Sequence, residues 1–246
     1  MMRYLSVKIV ILLIGFSLLP SCEFIVDSVT DDATDEVVYT INPDVKKIAL
    51  YNDFDLELIE SEDSTLTFSG PKALLNELEI ENIDGLLEIR HNKFGSWYYD
   101  KPLLQLRLPQ IVPIQLYGFN DVYCRDTLRT SKINFFADGT GDIHLNVKND
   151  YVRVFANHIS NFYLSGETET LSVLCTFTSG FFGSGLKAQN VVATSIGAND
   201  IVVYPINSLK AKVEQVGNIF YVNRPLELSL EEGEYSTGSI IYDENK

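Results

Sequence analysis

The feature that most constrains the fold of this chain of 246 residues is a period near 20. Pairs of small or amide residues recur as Asn120-Asp121, Gly141-Asp142, Ser160-Asn161, Ser179-Gly180, Asn199-Asp200, Gly217-Asn218 and Gly238-Ser239. Each is followed by an apolar anchor: Val122, Ile143, Phe162, Phe181, Ile201, Ile219 and Ile240, at spacings of 21, 19, 19, 20, 18 and 21. Ten residues before each anchor stands a second apolar residue: Val112, Ile133, Val152, Leu171, Val191, Leu209 and Leu230. Both columns are apolar in all seven repeats against a background of 46% apolar residues. The regularity marks a true structural repeat.

A unit of this length, holding two short alternating strands, cannot bury its own apolar face. Stacked units can, each adding one coil. The pattern predicts an all-β, single-domain parallel β-helix over 112–246, with the paired residues at its corners, where left-handed backbone is cheapest. Anchors and the residues two further on (Cys124, Leu145, Leu164, Gly183, Val203, Tyr221, Tyr242) should point inward. Composition agrees: 13 Tyr and 14 Phe against 2 Met favour strands.

The start of the chain reads differently. Arg3 and Lys8 precede an apolar stretch from Ile9 to Leu19, too short to span a bilayer and suited to a secretory h-region. Leu18-Leu19-Pro20-Ser21-Cys22 resembles a bacterial lipobox, with Pro20 where a branched or small residue is usual. Residues 1–21 are expected to be a lipoprotein signal peptide and Cys22 the lipid attachment site, carrying a diacyl thioether and a palmitate-like acyl chain. Two such chains suffice for stable membrane attachment. Residues 22–40 hold Asp27, Asp31, Asp32, Asp35 and Glu36 and read as an acidic tether. Residues 41–111 read as a β-rich N-terminal part that caps the helix. Beyond residue 21 there are 17 basic against 34 acidic residues, which excludes a nucleic-acid face. The expected place is the outer membrane, lipid-anchored, with periplasmic face or cell surface left open.

A family resemblance rests on these stretches. The corners followed by Asp/Asn-Ile-x-Leu, the lipobox, "DFDLELIES", "SGPKALLNELEIENIDGLLEIRHN" and Tyr221-Val222-Asn223-Arg224-Pro225 are similar to the head GIN domain family of adhesins. The likeness covers about residues 46–246, with amides and acids replacing the family's usual Gly-Ser-Gly corners. It implies a right-handed β-helix, an envelope lipoprotein and a role in adhesion, and it brings no catalytic residues.

Residue chemistry agrees with that silence. His91, His144 and His158 show no metal-ligand spacing, and no nucleophile or phosphate-loop motif is present. No cofactor, metal or catalytic set is expected. The main catalytic alternative is a carbohydrate-active β-helix enzyme using Asp121 and Asp142. These occupy one corner of successive coils, about 4.8 Å apart in backbone, near the roughly 5–5.5 Å of a retaining glycosidase. The plainer reading is that turns favour Asp and Asn. A calcium site on this ladder is a minor variant. Cys124 and Cys175 lie three coils apart, about 14 Å, beyond the ~7 Å that a disulfide tolerates, and read as core residues.

Between the inward columns lies Tyr123, His144, Tyr163, Phe182, Val202, Phe220 and Ile241. Parity points this column outward, where a solvated sheet should carry Thr, Lys or Glu. It is either covered by the chain's own front segment, or an interface to a partner or second copy, or a sugar-stacking platform. A second aromatic stretch, Phe94, Trp97, Tyr98 and Tyr99, suits a plug on the open coil end or a recognition loop. The expectation is a non-enzymatic adhesion module whose partner is glycan, protein or self.

Overall fold

Alternating apolar residues build almost everything described in the computed structural model, which covers residues 34–92 and 101–246. All of these fall in the unit Asp31–Lys246. The strands are β1 (Thr34–Thr40), β2 (Lys47–Glu60), β3 (Thr65–Pro71), β4 (Leu78–Ile83), β5 (Leu86–His91), β6 (Leu103–Leu108) and β7 (Ile114–Tyr123). They continue with β8 (Lys132–Phe177), β9 (Gly180–Gly197), β10 (Ile201–Val213), β11 (Ile219–Tyr221), β12 (Glu227–Glu232) and β13 (Ile240–Tyr242). One helical turn, α1 (Lys72–Leu75), interrupts them. The 13 strands form one sheet with the main path β1-β3-β6-β2-β7-β8-β9-β10-β11-β13.

The repeat read from the sequence is a register. Val122 pairs with Ile143, Phe162 with Phe181, Phe181 with Ile201, Ile201 with Ile219, and Ile219 with Ile240, all in parallel. Every anchor except the terminal Ile240 is buried. Six of these stacked apolar side chains therefore form a continuous core, each worth roughly 1.5–3 kcal/mol of burial. Cys175 is fully enclosed, and burial pushes its thiol up to about 12. Both described cysteines are free. Cys124 is only half-buried because it ends its strand, where its sulfur accepts the backbone N–H of Asn146 at 3.3 Å.

The ladder also extends where the sequence shows no repeat. Leu56 of β2 stands in parallel register with Val122, and Leu104 of β6 with Leu56. The chain thus enters the ladder at β2, leaves to form β3 and β4, and returns on the far side of β2 through β5, parallel to residues 47–50, and β6, parallel to residues 55–60. β3 closes this end antiparallel to β6, and β1 lies antiparallel to β3. Residues 34–40, expected in the tether, are therefore the outermost strand. Their alternation Val37, Tyr39 against Val38, Thr40 supplies the half-buried face that a solvated tether lacks.

Two further expectations are corrected. The ten-residue offset fails in the last repeat: Leu209 pairs with Leu228 rather than Leu230, and all six residues of β12 are exposed. The left-handed residues also coincide with the paired corner residues at Gly141 alone among those described. They include Asn52, Gly118, His158 and Phe177, the last three each four residues before an anchor. At Gly118, with φ +109, a Cβ would lie 2.2 Å from the Asn52 carbonyl oxygen, so β2 and β7 approach there only because the side chain is missing. The first members Asn120, Ser160 and Ser179 are instead buried as polar plugs. Asn120 accepts the Phe54 N–H at 3.3 Å, and Ser179 donates to the Ala156 carbonyl at 2.8 Å.

Candidate binding surface

The alternation that sends Phe162 and Phe181 inward sends Tyr163 and Phe182 outward. In-register pairing then stacks them. Tyr123 pairs with His144, Tyr163 with Phe182, Phe182 with Val202, Val202 with Phe220, and Phe220 with Ile241. His144 and Tyr163 stack at 4.5 Å between centroids and 5° between planes, and Tyr163 and Phe182 at 5.0 Å and 17°. Cross-strand aromatic pairs of this kind stabilise a sheet modestly.

The described chain does not cover the middle of the column. His144 is exposed, and Tyr163 and Phe182 are half-exposed. Val202 is the exception at 3% exposure. It is short and sits in register between Phe182 and Phe220, whose larger rings screen it, so it contributes no free surface. Phe220 carries the Lys246 ammonium 4.4 Å from its ring centroid, and Ile241 stands exposed at the end. The usable strip is His144, Tyr163 and Phe182, with Tyr123 half-exposed beside it.

At its upper end the strip is closed by charge. Glu57, in register with Tyr123, is 1% exposed and is bound by Arg125 Nε at 2.5 Å and Gln105 Nε2 at 2.7 Å. Burial and the Glu57 carboxylate raise the Tyr123 hydroxyl above its ordinary value, against the opposing Arg125 guanidinium. Burial and Asp142 raise that of Tyr163. Both phenols therefore stay neutral donors.

The corner acids beside the strip are tied into the coils. The Asp142 backbone N–H donates to Asp121 Oδ1 at 2.8 Å, and Asn161 Nδ2 donates to Asp142 Oδ1 at 3.2 Å. Further along, Asn218 Nδ2 donates to Asp200 Oδ1 at 3.2 Å. Lys101 clamps Asp121 Oδ2 directly and reaches Asp55 at 3.5 Å. Desolvation pushes the Asp121 carboxyl up, but the Lys101 hydrogen bond and the Asp142 N–H outweigh it and hold the group below its ordinary value. Asp55 goes the other way, raised by burial and by Asp121 against Lys101. With both Asp121 oxygens engaged between coils, this pair gives the carbohydrate-cleaving reading no support. Among the described residues no group of three or more His, Cys, Asp or Glu side chains is placed to hold a metal ion.

Cys22, Phe94, Trp97, Tyr98 and Tyr99 lie outside the described residues. Among those described, no helix is long and apolar enough to cross a membrane. One surface feature escaped the sequence reading. Tyr51 and Tyr117 stack at 4.9 Å and 11°, and Phe136 and Phe155 meet at 5.1 Å on a separate outward face. The signal was present: Phe136, Phe155, Leu174 and Thr194 follow the same spacing of 19, 19 and 20.

The fold and surface define an all-β ladder protein with stacked outward rings. The family model described as "Putative auto-transporter adhesin, head GIN domain" matches residues 44–225, and the chain belongs to this family. Three solved structures share its fold. A putative adhesin from Bacteroides fragilis is 20% identical with a TM-score of 0.79, over 86% of this chain and 98% of its own. A putative adhesin from Parabacteroides merdae is 15% identical with a TM-score of 0.64, over 86% and 97%. A structure from Parabacteroides distasonis, titled a putative lipid binding protein, is 16% identical with a TM-score of 0.64, over 86% and 98%. Among the curated proteins none matches.

Proposed function

We propose that this chain is a non-enzymatic adhesion module of the cell envelope, held to the outer membrane through a lipid on Cys22. Its ladder winds as a right-handed parallel β-helix with coils of about 20 residues, and it docks a protein partner on the His144–Tyr163–Phe182 strip. The observation that carries this reading is the strip itself: three near-parallel stacked rings, partly open to solvent, on strands locked in register. A surface already ordered lowers the entropic cost of association. Its rim of charge, with Glu57–Arg125 at one end and Lys101–Asp121 beside it, fits the anatomy of a protein interface with an aromatic centre. Membership of an adhesin family supports the same class of role.

The docking experiment replaces Tyr163 and Phe182 together by Thr. Attachment of protein-bearing cells to their target surface should fall at least about tenfold, with the thermal midpoint nearly unchanged. Unaltered attachment by a folded double variant rejects the strip as the interface. Cys22→Ser should move the protein from the membrane fraction to the soluble one, and a variant that stays membrane-bound rejects the anchor. A crystal structure whose successive repeats cross left-handedly would reject the proposed winding.

A further inference from the structure

The outward face that carries Phe136 and Phe155 continues into a strained corner. Strand β8 turns at His158 with φ 58, and the next coil turns at Phe177 with φ 52. In the coils on either side the matching corners are Gly139 and Gly197, the latter in register with Phe177. Left-handed backbone is unfavourable for a bulky ring, so two such residues in succession are a stored strain. A glycine at either corner would relieve it. The rings project from the corner and lie parallel, 5.2 Å apart with 1° between planes. Phe177 is 63% exposed and the His158 side chain 55%.

Polar groups separate this pair from Phe136 and Phe155. Asp138 Oδ1 accepts a hydrogen bond from Asn157 Nδ2 at 2.8 Å and faces His158 Nδ1 at 2.5 Å. Thr176 Oγ1 donates to Asn157 Oδ1, which fixes the amide. Both bonds to Asp138 fall on one oxygen, leaving Oδ2 as an acceptor at a side chain 31% exposed. Phe155 and His158 are three residues apart, about 10 Å along a strand.

We propose that this face binds a glycan, seating two non-adjacent pyranose rings of one chain, one against Phe155 and one against the Phe177 face that is not stacked on His158, with hydroxyls on Asp138. The alternation of rings and hydrogen-bonding groups is what argues for this occupant. A pyranose presents an apolar C–H face, which stacks on an aromatic ring, and a polar edge, which an acid–amide pair can bind. The aromatic row Tyr51–Tyr117–Phe136–Phe155 gives way here to the Asp138–Asn157 pair, whereas the core of a protein interface is depleted of charged groups. The Asp138 carboxylate and the net charge of −15 favour neutral or amino sugars over uronic or sialic acids. The strained rings are preorganised for stacking.

The test applies the full-length protein in detergent to immobilised chitohexaose, cellohexaose, chitosan hexamer and polygalacturonate. Retention on at least one of the first three, and none on polygalacturonate, is expected. Phe177→Gly should weaken that retention at least tenfold while the thermal midpoint holds or rises, because the variant removes the ring and relieves the corner. Asp138→Asn should weaken it at least tenfold as well. No retention on any of the four, strongest retention on polygalacturonate, or unchanged affinity in both variants overturns the proposal. A midpoint that falls in Phe177→Gly assigns the ring to packing and also overturns it. The site shares no residue with the His144–Tyr163–Phe182 strip, so failure of either reading leaves the other standing.

Discussion

Phe181 and Phe182 are neighbours in the chain and identical in chemistry, yet one is fully buried in the core and the other lines the half-exposed strip. Each continues a column that runs through the parallel ladder at the same spacing. Strand alternation alone separates them. A repeat of this kind therefore writes two messages side by side: an inner column that sets stability and an outer one that is free to carry recognition. Stacking apolar side chains in register fills the inner column. In the outer column the same geometry stacks the rings of His144, Tyr163 and Phe182.

The comparison can be broken most strongly from the inside. Phe181→Ala leaves a large cavity among Phe162, Ile201 and their neighbours and should cost about 3–5 kcal/mol in chemical denaturation, whereas Phe182→Thr should cost under about 1 kcal/mol. Equal losses at the two positions would show that the outer ring also packs against something. Next comes the corner that lets the coils approach. Gly118→Ala places a Cβ against the Asn52 carbonyl in a backbone that resists side chains, and about 1–3 kcal/mol should be lost.

The smallest effect sharpens the electrostatic edge of the strip. Asp121 has its folded carboxyl held below its ordinary value of 3.8, so its stabilisation is present above that value and is lost as pH falls through the lowered one. Asp55, with a raised carboxyl, acts in the opposite sense, and its contribution is lost as pH rises through its raised value. Lys101→Ala removes the cation that both groups face. Because Asp121 is nearly half exposed, screening limits the pair to about half a kcal/mol. Thermal midpoints measured from pH 7 down to pH 3 should therefore fall slightly less steeply in Lys101→Ala than in the parent chain. A steeper fall would show that Lys101 does not govern this acid.

Much of this molecule was legible as periodicity. The spacing from Val122 to Ile240, the inward parity of the anchors and the outward parity of Tyr163 and Phe182 are properties of short-range alternation, which the chain writes residue by residue. The free cysteines followed from the same spacing. Other features depend on partners far away in the chain. No local pattern announces that Leu56 pairs with Val122, or that β6 re-enters the ladder beyond β2, because that pairing spans a loop whose closure entropy depends little on its sequence. The same holds for the Lys101 clamp on Asp121 and for the burial of Val202 between two rings. The strained corner at His158 and Phe177 is the clearest case. Each residue alone would prefer another backbone conformation, and only the paired strands around them, bonded through Asp138 and Asn157, hold both in place. The sequence alone thus determined the repeat and its two faces. Which surface is open, and where strain is stored, was decided by tertiary contacts, since exposure and strain are properties of what surrounds a residue.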